Sequence, residues 1–141
     1  MKDKRLEENI KKSKTFTDLW SKFNELYISA ISQNSDQLAQ SDMFIQTKPL
    51  INIKFEDLMD SVGLAHNRRI EKYYPVYEIL SINDLSTMSD EKINRINECW
   101  TDTYIFLQFL MQRLKKKKDR IAKFNTLIFI LKNSMRNRRR K

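Results

Sequence analysis

The sequence predicts an all-α fold: a bundle of four or five helices with a long, central C-terminal helix. Gly63 is the only glycine in 141 residues, and there are two prolines. β-Hairpins draw on Gly, Asn-Gly or Asp-Gly turns, and this chain contains neither dipeptide. Apolar residues make up 40% of the chain and aromatics 11%, enough to fill a core. Along most of the chain those residues recur three and four apart, as on helices with one buried face.

The elements follow in order. Residues 2–14 are charged, with Leu6 and Ile10 at helical spacing, and either extend the first helix or fray. Thr15, with Asp18 three residues on, resembles a capping box. Phe16, Leu19, Trp20, Phe23, Leu26, Tyr27, Ala30 and Ile31 fall within about 140° of arc, which predicts a helix over 16–33. Residues 33–49 are polar and broken by Asn34, Ser35, Asp36, Ser41 and Asp42, so a loop with at most one helical turn is expected there. Phe55, Leu58, Met59 and Val62 predict a short helix over 53–62, with Gly63 as its C′ residue. Residues 64–74 read as another helix, ended by Pro75. Val76, Tyr77, Ile79 and Leu80 form a further turn or two, and residues 83–87 connect.

Ser89 then caps the clearest element, whose first turn carries Asp90 and Glu91 at the positive end of the helix dipole. Ile93, Ile96, Trp100, Tyr104, Leu107, Leu110, Met111 and Leu114 lie within about 120° of arc. Ile105, Phe106 and Phe109 add apolar groups on the other sides, so this helix is expected to be enclosed at the bundle centre. At 115–118 the four lysines point in four directions; the helix either continues with Lys117 snorkelling or bends. Ile121, Phe124, Leu127, Ile128, Leu131 and Met135 resume an apolar face beyond them, and Phe129 and Ile130 widen it.

Charge divides the chain. Residues 113–141 hold thirteen bases and one acid, a balance of +12, while the first 112 hold fourteen bases and seventeen acids, a balance of −3. The division predicts a helical bundle over 1–112. After it comes a basic, partly apolar helical segment over 113–141 that packs on the bundle or extends from it. Such a density of bases points to an anionic partner, because Lys and Arg neutralise phosphates and release their counterions. The candidate phosphate contacts are Arg113, Lys115, Lys116, Lys117, Lys118, Arg120, Lys123, Arg136, Arg138, Arg139, Arg140 and Lys141. Leu127, Ile128, Phe129, Ile130 and Leu131 would aggregate if exposed, so they are expected to be buried against the bundle or another protein, with a partner helix or self-association as the natural cover. A membrane surface fits less well, because Lys123 falls inside the apolar arc and Phe129 opposite it.

Other chemistries find little support. His66 and Cys99 stand alone on different elements, whereas zinc takes several ligands at close spacing. One glycine cannot build a phosphate-cradling loop, and no nucleophile elbow accompanies His66. The acids Glu56, Asp57, Asp60, Asp90 and Glu91 read as solvated helix faces and starts. Tyr73, Tyr74 and Tyr77, near Arg68, Arg69 and Lys72, read as half-buried packing around Pro75 rather than base-stacking groups. No catalysis, metal, cofactor or small-molecule substrate is expected. A lone cysteine suits a reducing compartment, no apolar run follows Met1 to Arg5, and no window approaches about 18 consecutive apolar residues. The expectation is an intracellular protein, nuclear in a eukaryote and otherwise cytoplasmic. It would be a non-catalytic subunit of a nucleoprotein assembly that docks a protein partner and contacts nucleic acid, DNA or RNA, through its basic end. The alternative is an interaction module whose basic tail binds an acidic partner or serves nuclear import.

Overall fold

The computed structural model describes residues 4–32, 37–64 and 76–139. It is all-helical: α1 (Lys4–Ile31), α2 (Gln37–Ser61), α3 (Val76–Leu80) and α4 (Asp90–Arg139). The helix expected over 64–74, together with His66, Tyr73 and Tyr74, lies outside the described residues.

Packing in sevens organises the body. On α1 the buried residues form two lines, Leu6, Ser13, Trp20 and Tyr27, and Phe16, Phe23 and Ala30. On α2, Phe44, Ile51 and Leu58 are likewise buried seven apart. A seven-residue repeat keeps one seam facing a neighbouring helix over many turns. The Phe16 line faces α2: Phe23 stacks on Phe44 with centroids 4.6 Å apart, and Phe16 meets Phe55 at 5.6 Å. The Trp20 line faces α4, where Trp100 meets Trp20, Phe23 and Tyr27.

α1 therefore begins well before Thr15. Leu6 and Ser13 continue the buried line, and that packing carries the helix through its charged first turns. α2 corrects the expected loop over 33–49, whose described residues 37–49 are helical and run on into the short helix expected over 53–62 as one helix of 25 residues. The polar residues Ser41 and Asp42 sit beside the Phe44–Ile51–Leu58 line rather than breaking it, and Pro49 is accommodated on the exposed side.

The end of α2 matches expectation. Leu64 N–H donates to the Met59 carbonyl at 2.8 Å and Gly63 N–H to Asp60 at 3.2 Å. Gly63 has φ 78°. These are the two bonds of a Schellman motif closed by a left-handed glycine. At the start of α4, Ser89 Oγ accepts from Lys92 N–H at 3.2 Å, with Asp90 and Glu91 in the first turn.

Lys48 Nζ donates to the Ile82 carbonyl at 2.6 Å, which ties the connection before α4 to the middle of α2. Since α2 runs antiparallel to α1, α4 starts near the C-terminal end of α1 and runs back along it. Trp20 faces Trp100. Fourteen residues at about 1.5 Å each, earlier on α1 and later on α4, bring Leu6 level with Leu114. Those are the last buried residues of each helix at that end. α4 then continues to Arg139.

Candidate functional site

The described basic and apolar residues singled out in the sequence come together on α4, from Arg113 onwards. The helix runs uninterrupted through 115–118, so the four lysines neither bend nor end it. Counting in sevens, Ile93, Trp100, Leu107, Leu114, Ile121, Ile128 and Met135 make one line. Ile96, Thr103, Leu110, Lys117, Phe124 and Leu131 make a second. Together they form one stripe, with Lys117 as the one charge inside it and Arg138 where its second line ends.

The body covers the first half of this stripe. Ile96, Trp100, Thr103, Leu107, Leu110 and Leu114 are buried, and Ile121 still touches the core. Beyond it the cover stops: Phe124 is 60% exposed, Leu127 53%, Phe129 64%, Ile130 56%, Leu131 54% and Met135 60%. Of the two covers expected for 127–131, the bundle or another protein, the bundle does not supply one among the described residues. The reason is length, since α1 reaches only the level of Leu114. The five residues also split: Leu127, Ile128 and Leu131 lie on or beside the stripe, and Phe129 and Ile130 on the far side. A second correction concerns 104–111. Phe106, Leu107 and Leu110 are buried, whereas Tyr104, Ile105 and Phe109 are exposed. Among the described residues α4 packs on α1 and α3, which cover one side of it rather than all.

Every described basic side chain from Arg113 to Arg138 is exposed. Among the described residues the ion pairs are Lys12–Asp57 and Arg95–Glu78, so none involves this segment. The side chain of Arg139 and all of Arg140 and Lys141 lie outside the described residues. The bases divide by position. Arg113, Lys118, Arg120 and Lys132 flank the stripe, Lys117 and Arg138 lie on its line, and Lys115, Lys116, Lys123 and Arg136 point away from it. No acid occupies a flanking position; Asp119 is on the outer side.

This arrangement stores repulsion. Arg113–Lys117, Lys116–Arg120, Lys117–Arg120 and Arg120–Lys123 are like-charged pairs three or four residues apart, each destabilising by about 0.2–0.5 kcal/mol. Asp119 offsets part of this, being at favourable spacing from Lys115, Lys116 and Lys123. Bases near the C-terminus meet the negative end of the helix dipole and are favoured there. The two clusters, 115–120 and 136–139, stand about 27 Å apart on one helix, from Lys118 to Arg136.

Cys99 and Glu78 form the other polar cluster. Arg95 donates two hydrogen bonds to the Glu78 carboxylate, at 2.8 and 2.9 Å, and holds it below the usual carboxylate range. The Cys99 thiol donates to the same carboxylate at 3.4 Å, and burial, with that carboxylate second, pushes it up to about 12. A thiol so raised is a poor nucleophile at neutral pH. Among the described residues no three His, Cys, Asp or Glu side chains converge as metal ligands, and no helix is long and apolar enough to cross a membrane. Tyr77 packs edge-on against Phe55 at 6.1 Å.

Sequence reasoning missed a groove between α1 and α2, floored by Phe16, Leu19 and Leu50 and rimmed by Lys11, Lys22 and Lys54. The signal was within reach, because Lys11 and Lys22 flank the apolar line of α1. No known protein family, curated protein or solved structure matches this chain.

Proposed function

We propose that the protein is a non-catalytic subunit of a nucleoprotein assembly, in which the body and the apolar stripe of α4 hold a protein partner while the bases of α4 contact nucleic-acid phosphate. One observation carries this reading. The bases of the projecting half of α4 are exposed, form no ion pair among the described residues and have a single acid, Asp119, among them, on a helix that outlasts its own body. A polyanion relieves their mutual repulsion and gives up condensed counterions in doing so. Lys115, Lys116, Lys123 and Arg136 are best placed, being turned away from the stripe, and contacts of this kind favour phosphate over base sequence.

Anisotropy titrations of labelled duplex DNA, single-stranded DNA and RNA at several salt concentrations test it. Binding that weakens steeply with salt supports the reading, provided it is lost when Lys115 to Lys118 and Arg136 to Lys141 are replaced by Gln. Absence of binding at low salt overturns it. A second reading, an adaptor whose basic tail meets an acidic protein or serves nuclear import, is favoured by the uncovered apolar residues of the same helix. It predicts no nucleic-acid binding in that titration.

A further inference from the structure

The stripe of α4 is one continuous seam, and α1 covers only its first half. From Ile93 to Leu114 the seam is closed by packing in sevens; past Ile121 the same two lines continue with Phe124, Leu131 and Met135 exposed and no further helix against them among the described residues. A surface that continues an existing helix–helix seam, in the same register, is shaped for another helix.

We propose that the projecting half of α4 pairs with an amphipathic helix of another protein whose flanking positions carry Glu or Asp, the two meeting along Ile121, Phe124, Ile128, Leu131 and Met135. The charge pattern selects this occupant. In paired helices the residues beside the seam face those of the partner and set partner choice. Here the charged residues at those positions are Arg113, Lys118, Arg120 and Lys132, all basic. A second copy, parallel or antiparallel, would set bases against bases, a repulsion that opposes self-pairing. A partner with acids at the same positions meets each base with an opposite charge. Lys117 on the seam lengthens towards the edge and offers a further base to such a partner. Docking rests on the partner half of the proposed function and is independent of phosphate contact.

The test uses the full chain and three synthetic four-heptad peptides, with Ile and Leu on the seam and Glu, Gln or Lys at every flanking position. Sedimentation velocity and titration calorimetry are run without nucleic acid, at low salt (about 0.05 M) and at high salt (about 1 M). The chain alone is expected to sediment as a monomer. It should bind the Glu peptide in a one-to-one complex, the Gln peptide at least about tenfold more weakly and the Lys peptide not at all, with the preference shrinking at high salt. Ile128→Asn should weaken the Glu peptide by about a hundredfold. Phe129→Asn, on the far side, should leave binding unchanged, and the body's tryptophan emission should be the same in both variants. Equal binding of all three peptides overturns the acidic partner but leaves helix docking in place. Binding of none overturns docking as well. A discrete dimer of the chain alone that Ile128→Asn dissolves overturns the choice of occupant. None of these results bears on the phosphate titrations.

Discussion

Trp20 and Trp100 hold their rings 4.6 Å apart, inclined at 48°, and through that contact α1 positions the half of α4 that stays inside the body. Trp100 also meets Phe23 and Tyr27, so one side chain ties α4 to three residues of α1. Removing it opens a cavity that no single neighbour can fill. Trp100→Ala should therefore cost about 3–5 kcal/mol, read as a lower denaturant midpoint by circular dichroism. Trp100→Phe should cost much less, because it keeps an aromatic ring and deletes a buried indole N–H that has no hydrogen-bond partner among the described residues.

The same interface makes alkaline stability sensitive to Tyr27. Its hydroxyl is buried without a partner among the described residues, and burial, with the neighbouring Cys99 second, pushes the phenol from 10.0 to about 12. Between those values the folded chain keeps a proton that the unfolded chain has released. Stability must then fall as pH rises through that window, by about 2 kcal/mol in all. Cys99, raised from 9.0 to about 12, acts in the same direction and begins earlier. Tyr27→Phe should flatten the alkaline decline between pH 10 and 12 and be neutral or slightly stabilising at pH 7. Chemical denaturation at a series of pH values measures both; an unchanged alkaline slope would contradict the burial of that hydroxyl.

How far the sequence reveals this molecule depends on which signals are local. The start of α4 is legible because Ser89, Asp90 and Glu91 act within one turn, and the end of α2 because only a glycine suits the backbone at Gly63. The middle of α2 is not, because Ser41, Asp42 and Pro49 are all locally unfavourable to helix. What overrides them is tertiary, namely Phe44 against Phe23 and Phe55 against Phe16. Periodicity also overstated the enclosure of α4. It gives the angles at which Tyr104, Ile105 and Phe109 emerge, but not how many neighbours are there to meet them. The basic end was plain from composition. That its apolar residues stay uncovered was not, since this depends on α1 being shorter than α4.

Two backbone positions, Pro49 within α2 and Gly63 just past its end, should respond in opposite directions. Pro49 lacks an amide hydrogen and sits inside the helix on its exposed side. Proline costs about 3 kcal/mol against alanine in a helix interior, partly returned by about 0.4–1 kcal/mol through the stiffer unfolded chain. Pro49→Ala should raise stability by about 1–2 kcal/mol after allowance for relaxation around the native proline. At Gly63 a Cβ would meet nothing within 4 Å, so the cost of Gly63→Ala comes from the positive φ alone, about 1–2 kcal/mol. Gly63→Asn should cost less, because asparagine tolerates that conformation better. Urea midpoints at constant m-value check all three variants.

The division of bases on α4 predicts that its two proposed contacts can be separated. Lys115, Lys116, Lys123 and Arg136 face away from the seam, and replacing all four by Gln removes four candidate phosphate contacts without touching the apolar line. If each neutralises one phosphate, the slope of log K against log salt for duplex DNA should become shallower by about 3.6. Binding of the Glu-flanked peptide should persist, because Arg113, Lys118, Arg120 and Lys132 remain. Ile128→Asn should do the reverse, losing the peptide while keeping the full salt slope. Measured on the same two variants, nucleic-acid anisotropy and peptide calorimetry should change one at a time. If both fall together in either variant, the two faces of the helix act as one surface and the assignment of separate roles to them fails.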